Sequence, residues 1–101
     1  MSPREFLDVD PSSLHLPWGR KDGADPVKLT RQIAKHGKSI TGMPPLFVTR
    51  GKDGLLRIID GVTRATRVAK LLPGQTVRVE VVDNHPSWDF SRHPTVGERL
   101  P

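Results

Sequence analysis

Between Asp60 and Arg67 the sequence carries side chains that together have the chemistry of a phosphate site. An apolar run ends at Asp60-Gly61 and a helical pattern follows, so unpaired backbone N–H groups and the positive end of a helix dipole would meet there. Arg64 lies about one turn into this helix, and its guanidinium can hold two phosphate oxygens at once. Thr63 adds a hydroxyl donor, and Arg67 follows on the same flank. We therefore predict that Gly61, Thr63, Arg64 and Arg67 bind a phosphate group.

Asp60 has two interpretations. As the N-cap of the helix, its carboxylate would accept hydrogen bonds from the N–H groups of the first turn. As a catalytic residue, it would act as a general base or a metal ligand beside the bound phosphate. A capping carboxylate would compete with a phosphate for the same donors, so the first role and anion binding oppose each other. Thr63, Arg64 and Arg67 have a structural alternative as ordinary surface residues of the helix.

A strand on each side of this helix must hold the residues in place. Leu55 to Ile59 is nearly continuous in apolar residues and predicts a strand that is buried on both faces. Pro73-Gly74 ends the helix, and Val77, Val79 and Val81 then alternate with polar residues, which is typical of a strand with one solvated face. Arg67 should not face the core. The apolar residues of the helix recur at the 3.6-residue period and should face it: Val62, Ala65, Val68, Ala69 and Leu72.

An earlier helix has clear start and stop signals. Asp25 offers an N-cap oxygen and Pro26 suits the first helical position. Gly37 is the natural left-handed stop, so we predict a helix over residues 26–36. The apolar stripe of this helix consists of Leu29 and Ile33, and its outward positive charges are Lys28, Arg31 and Lys35.

The remaining pattern sets the limits of the domain. Residues 46–50 read as a strand, and Asp53-Gly54 predicts a tight turn because both residues tolerate positive φ. We predict one domain over residues 14–83, preceded by a flexible or partly docked lead-in over residues 1–13. From residue 84 the periodicity is lost, and residues 84–101 are expected to form an irregular tail that drapes over the domain or binds a protein partner.

Composition limits the function further. A length of 101 residues with 35% hydrophobic content indicates one modest core. The absence of cysteine excludes disulfides, thiolate catalysis and cysteine-ligated zinc, and the four histidines have no metal-binding spacing, so no metal site is predicted. No apolar stretch approaches the ~18–20 residues that span a bilayer. There is also no signal-peptide pattern, and we expect a cytoplasmic protein without membrane contact.

The net charge of +5 and the pI near 10.2 indicate an anionic partner. A nucleotide, a nucleic acid or an acidic protein would each satisfy this charge. A solvated basic surface without a specific ligand is the alternative.

Four motifs, in order, resemble the N-terminal domain of the ParB family, within the ParB/sulfiredoxin superfamily. They cover residues 15–83 and read Pro17-Trp18-Gly19-Arg20, Leu29-Thr30-Arg31-Gln32-Ile33-Ala34-Lys35-His36-Gly37, Pro45-Leu46-Phe47-Val48 and Asp60-Gly61-Val62-Thr63-Arg64. The resemblance implies a small α/β (α+β) domain with a mixed sheet and packed helices. It also implies a phosphate at the start of the second helix, reached by Arg64, with Arg20 across the cleft.

The sequence departs from the family pattern at several positions, and these departures limit the functions that the resemblance implies. Val62 and Thr63 replace a Glu and an Arg of the longer family motif, and no residue corresponds to the catalytic Cys of sulfiredoxin. The sequence also lacks the DNA-reading helix-turn-helix of ParB, so operator binding is not expected. The loop that carries Lys38 and Ser39 is enlarged, and these residues are candidates for a lid over the phosphate, with a solvated loop as the alternative.

The resemblance leaves three kinds of function open. The first is binding of a nucleotide, such as a nucleoside triphosphate with Mg²⁺, or of a nucleic-acid phosphate. The second is an enzyme of the same superfamily, a nuclease-like or nucleotide-transferring toxin, in which Asp60 is the catalytic carboxylate. The third is a regulatory module that docks a protein through residues 84–101.

Overall fold

The computed structural model of the protein describes residues 3–101. Its helices and strands are, in chain order, β1 (Glu5–Val9), α1 (Pro26–His36), β2 (Leu46–Arg50), β3 (Leu56–Asp60), α2 (Val62–Leu71) and β4 (Val77–Asn84). The strands form a mixed sheet of order β1-β4-β2-β3, in which β2 runs parallel to β4 and the other neighbours are antiparallel. This architecture confirms the predicted fold class, a small mixed sheet with packed helices.

The core lies between one face of the sheet and helix α2. The strand register sets Leu46 beside Val79, and Val48 beside Ile58, and all four side chains are fully buried. These apolar side chains pack between the sheet and α2. Burial of apolar side chains in this way is the main source of stability in a sheet of this kind. Helix α2 covers them with the residues that the 3.6-residue period predicted: Ala65, Val68 and Ala69 buried, Val62 and Leu72 partly buried.

Helix α1 begins and ends at the predicted residues. The Asp25 carboxylate accepts hydrogen bonds from the N–H groups of Val27 at 2.8 Å and Lys28 at 3.1 Å, and Pro26 is the first helical residue. Gly37 follows the last residue with a φ of 53°. Within the described chain, no helix has the length and apolar character needed to cross a membrane.

Strands β2 and β3 are joined by the predicted turn, in which Asp53 and Gly54 have φ values of 60° and 77°. The prediction that the second strand is buried on both faces is wrong. Ile58 is buried, but Ile59 is 48% exposed. Strand β3 lies at the edge of the sheet, and its pairing with β2 shifts register between Phe47 and Val48, so part of this apolar run faces solvent.

Of the two predictions for residues 1–13, the flexible lead-in is wrong for the part that the structure describes, because this part is docked on the domain. Residues 5–9 form β1, which pairs antiparallel with β4 from Glu5–Val81 to Val9–Val77. Leu7 and Val9 join the core from this strand. Met1 and Ser2, which also belong to the predicted lead-in, lie outside the described residues.

The tail after β4 is irregular, as predicted, and it packs on the domain. Phe90 is 2% exposed and Val96 is 1% exposed. The backbone of the tail forms hydrogen bonds with the segment before α1. The Val96 N–H donates to the Leu14 carbonyl at 2.9 Å, and the Leu16 N–H donates to the Pro94 carbonyl at 2.8 Å. Part of the core is therefore built from this tail, whereas its predicted role in docking a protein stays a prediction.

Candidate functional site

The candidate site is the corner at which β3 turns into α2. Gly61 is the N-cap residue, with a φ of 112°, and no side chain within residues 3–101 caps the helix. The first helical hydrogen bond runs from the Ala65 N–H to the Gly61 carbonyl, at 2.9 Å. By helix geometry, the N–H groups of Val62, Thr63 and Arg64 precede that bond and have no helical acceptor. The helix therefore starts with free donors and with the positive end of its dipole.

Glycine is required at this corner for two reasons. A φ of 112° lies in the region that L-residues with a side chain rarely adopt. A Cβ on Gly61 would also overlap with the fully buried Leu46 and would lie 3.1 Å from Arg64 Nη2. The backbone thus turns closely past the core, which leaves the start of α2 open on its outer side.

A cleft of about 270 Å³ lies in front of this helix start. One wall is the β3–α2 corner, including Gly61, Thr63 and Arg64. The other wall comes from the turn at Pro17–Arg20 and from the first half of α1, which contributes Lys28. Arg20 and Arg64 therefore line the same cleft from two different segments of the chain.

Asp60 does not cap the helix, so that prediction is wrong. It is the last residue of β3, one residue before the N-cap, and its carboxylate accepts from Arg64 Nη2 at 3.3 Å. The Asp60 side chain is 67% exposed at the rim of the cleft. Arg64 is held from the other side as well, because its Nη1 donates to the Pro44 carbonyl at 2.9 Å. The expected competition between a capping carboxylate and an anion is therefore absent.

The second carboxylate on the cleft wall, Asp25, is occupied by α1. Hydrogen bonds from the backbone of Lys28 and Val27, together with the nearby positive charges of Lys28 and Arg20, lower the pKa of Asp25. Asp25 is thus ionised at neutral pH and points its oxygen at the α1 amides. It adds negative potential to the cleft without offering a free base.

Two lining residues were missed as site residues in the sequence, although their pattern carried a signal. Lys28 and Gln32 lie four residues apart on α1 and face the cleft. Lys28 also belongs to a basic face with Arg31 and Lys35, which lines a shallow depression of about 250 Å³ next to Thr63. The helical spacing of these cations was evident, but its position beside α2 depends on the packing of the two helices.

Arg67 lies elsewhere than predicted. It is 1% exposed, and its Nη1 donates to the carbonyls of Gly37 at 2.6 Å and Ser39 at 2.9 Å. The assignment to a solvated helix face is wrong because the loop over residues 37–45 covers this flank of α2. Ser39 and Arg67 line a second cavity, which shares Gln32, Asp60 and Arg64 with the cleft. Lys38 is exposed and lines neither of these two cavities.

The donor set of the cleft fits a phosphate better than a metal held by protein alone. Among residues 3–101 no three His, Asp or Glu side chains lie close enough to hold a metal ion. Asp60 is one carboxylate at the rim, and a Mg²⁺ there would take most of its oxygen ligands from phosphate and water. The candidate cofactor, a nucleoside triphosphate with Mg²⁺, is thus compatible with the residues through its phosphates.

A scan against protein-family models finds no match to this chain, and a search of curated proteins finds no significant match. The resemblance to the ParB/sulfiredoxin superfamily therefore stays a prediction from sequence motifs.

Proposed function

We propose that the protein binds a phosphate group of a nucleotide or nucleic acid in the cleft at the start of α2. The observation that carries this proposal is an uncapped helix N-terminus faced by cations from two other segments, Arg20 and Lys28. Free N–H groups and a helix dipole favour an anion at this position, and neighbouring cations strengthen the attraction.

Each element has a separate task in this proposal. The amides of Val62 and Thr63 would donate to phosphate oxygens along the helix axis. Arg64 is already oriented by Pro44 and Asp60, so it loses little side-chain freedom when it meets an anion. Lys28 and Arg20 would supply charge from the opposite wall.

Gln32 supports a ligand with more than a phosphate. Its Oε1 is buried and has no hydrogen-bond partner among the described residues. Buried polar atoms are almost always paired in native proteins, and Gln32 lines the cleft, so its unpaired acceptor favours a ligand that brings a donor to this side chain. A ribose hydroxyl or the amino group of a base would satisfy it.

The basic face of α1 favours nucleic acid over a free nucleotide. Lys28, Arg31 and Lys35 extend away from the cleft along one side of the helix, where successive phosphates of a strand could lie. A strand that contacts several phosphates loses affinity by orders of magnitude between ~50 and ~200 mM salt, whereas one nucleotide in the cleft responds far less. Titrations at these two salt concentrations separate the two ligands.

The proposal is tested with Thr63→Glu. The new carboxylate would sit in the first turn of α2, where it stabilises the helix by ~0.3–1 kcal/mol through the dipole. The same carboxylate repels a phosphate and competes for its donors. We expect the melting temperature to stay the same or rise, while binding of single-stranded oligonucleotides and of nucleoside triphosphates is lost in fluorescence polarisation and thermal-shift assays.

Lys28→Gln and its control Lys70→Gln complete the test. Both variants remove one positive charge, but Lys70 lies in the last turn of α2 and donates to the Pro101 carbonyl. Lys28→Gln should weaken binding, and Lys70→Gln should leave it nearly unchanged. Binding that survives both Thr63→Glu and Lys28→Gln would place the ligand outside the cleft.

A second candidate function is catalysis by Asp60. The exposed position of this carboxylate at the cleft rim, free of any capping role, favours it. A nuclease-like enzyme would nick plasmid DNA in the presence of Mg²⁺ or Mn²⁺, and Asp60→Asn would abolish the nicking while oligonucleotide binding persists. Absence of turnover with either metal would leave phosphate binding as the function.

A further inference from the structure

Arg67 is a charged side chain that the fold buries without a carboxylate partner. It is 1% exposed, and none of the ion pairs formed by residues 3–101 includes it. Burial lowers the pKa of its guanidinium, which reflects the loss of water around the charge. A buried charge is normally paired, because burial of a charge without compensation is strongly unfavourable.

The donors of Arg67 are used on one edge only. Nη1 donates to the Gly37 and Ser39 carbonyls, which accounts for both of its N–H groups. Nε is buried and has no partner within the described chain. Nη2 has a weak acceptor, the Met43 thioether sulfur at 3.6 Å. The edge formed by Nε and Nη2 thus lacks an oxygen acceptor, and this is an edge on which a guanidinium holds a carboxylate through two parallel hydrogen bonds.

A cavity of about 360 Å³ adjoins this side chain. Met43, which contacts Nη2, lines the cavity together with Pro44, Pro45 and Phe47, so much of the wall is apolar. Arg64 lies in the wall between this cavity and the phosphate cleft and lines both. A concave, partly apolar wall with a few convergent polar groups is typical of a small-molecule site.

We propose that this cavity binds a small organic carboxylate with a short apolar body. The carboxylate would displace the Met43 sulfur and accept from Nε and Nη2 of Arg67, while its hydrocarbon part contacts the proline and phenylalanine side chains. A planar carboxylate fits this edge better than a tetrahedral phosphate does, because the cavity offers no free helix N-terminus for further oxygens. The cavity shares Arg64 with the phosphate cleft, but the proposed carboxylate contacts are made by Arg67, which lies outside the cleft, so the proposal does not depend on phosphate binding.

The test uses hexanoate on the full chain, with hexanamide as the uncharged match and acetate as the anion that lacks the apolar body. We expect hexanoate to raise the melting temperature and to shift the Arg67 Nε–H resonance in ¹H–¹⁵N NMR spectra. Hexanamide should do neither, and acetate should require a higher concentration. An Arg67 Nε–H resonance that does not respond to saturating hexanoate would overturn the proposal.

Variants separate this site from the cleft. Arg67→Lys keeps the charge but loses the two parallel N–H groups of the guanidinium. Hexanoate affinity should therefore fall about 10- to 100-fold, the equivalent of one charge-assisted hydrogen bond. Thr63→Glu and Lys28→Gln should leave hexanoate binding within about twofold, whatever they do to phosphate binding. Equal hexanoate affinity in Arg67→Lys and wild type would refute the site; if Arg67→Lys does not fold, the wild-type Nε–H resonance decides alone.

Discussion

Replacing Gly61 with alanine perturbs the corner on which the candidate site depends. Two separate penalties arise there. The φ of 112° disfavours any residue with a Cβ, and the added methyl group would overlap with the Leu46 side chain, which is fully buried between the sheet and α2. Because Leu46 is fully buried, either its side chain must repack within the core or the strand–helix corner must shift.

The two penalties have known sizes. A left-handed conformation costs a non-glycine residue roughly 1–2 kcal/mol. Overpacking a tight core by one methyl group costs roughly 1–3 kcal/mol. Gly61→Ala should therefore lower the free energy of unfolding by about 2–5 kcal/mol, which for a domain of this size lowers the melting temperature by roughly 10 °C or more.

Alanine variants at two other glycines separate the strain from the overlap. The free energy of unfolding of each variant is obtained from the midpoint and slope of its urea denaturation curve. Gly74 has a φ of 87° and open space around its Cβ position, so Gly74→Ala reports strain alone. Gly51 has a φ of −108°, but a Cβ there would lie 2.5 Å from the Trp88 carbonyl oxygen and 2.6 Å from a Phe90 ring carbon, so Gly51→Ala reports overlap alone. A Gly61→Ala loss no larger than that of Gly74→Ala would refute the close approach to Leu46.

Further predictions concern the tail, an ion pair and the cleft. Phe90→Ala should cost about 3–5 kcal/mol of unfolding free energy because the ring is fully buried, whereas Leu100→Ala should stay within about 0.5 kcal/mol; equal losses in urea denaturation would show that the tail is not part of the core. The bidentate hydrogen bonds from Arg4 lower the pKa of Glu80, so this pair stabilises the fold above the ordinary glutamate pKa of about 4.3, and the contribution is lost as the pH falls through the lowered folded pKa. The stability difference between wild type and Arg4→Gln should accordingly be larger at pH 7 than at pH 3, and a pH-independent difference would contradict the pairing. Asp25→Asn keeps an N-cap but removes a negative charge from the cleft wall, so the free energy of unfolding should stay nearly constant while oligonucleotide affinity rises. Weaker oligonucleotide binding in a titration would contradict the proposal that Asp25 lies on the wall of the binding cleft.

Local features of the fold were predictable from the sequence because their causes lie within a few residues. The Asp25-Pro26 start and the Gly37 end of α1 depend on capping and on φ preferences, which neighbouring residues determine. The Asp53-Gly54 turn follows from the same kind of preference. The core face of α2 was predictable because helical periodicity assigns residues to faces without reference to the rest of the chain.

The candidate site was only partly predictable. Gly61, Thr63 and Arg64 could be grouped because one strand–helix junction holds them in sequence order. Asp60 was misassigned as a cap because the N-cap position depends on where β3 stops pairing, which is a property of the sheet. Lys28 joined the site through packing of α1 beside α2, and periodicity alone could show only that it faced away from the α1 core stripe.

Charge patterning and helical spacing, both readable from the printed sequence, determined that this chain is basic, forms an α+β domain and has a strand–helix junction at Gly61, where we predict anion binding. The tertiary structure decided which residues the junction meets and which are buried. Arg67 is the clearest case, since its spacing placed it on the solvated flank of α2 and the loop over residues 37–45 then covered it. Burial depends on contacts between residues far apart in the chain, and no local preference records those contacts.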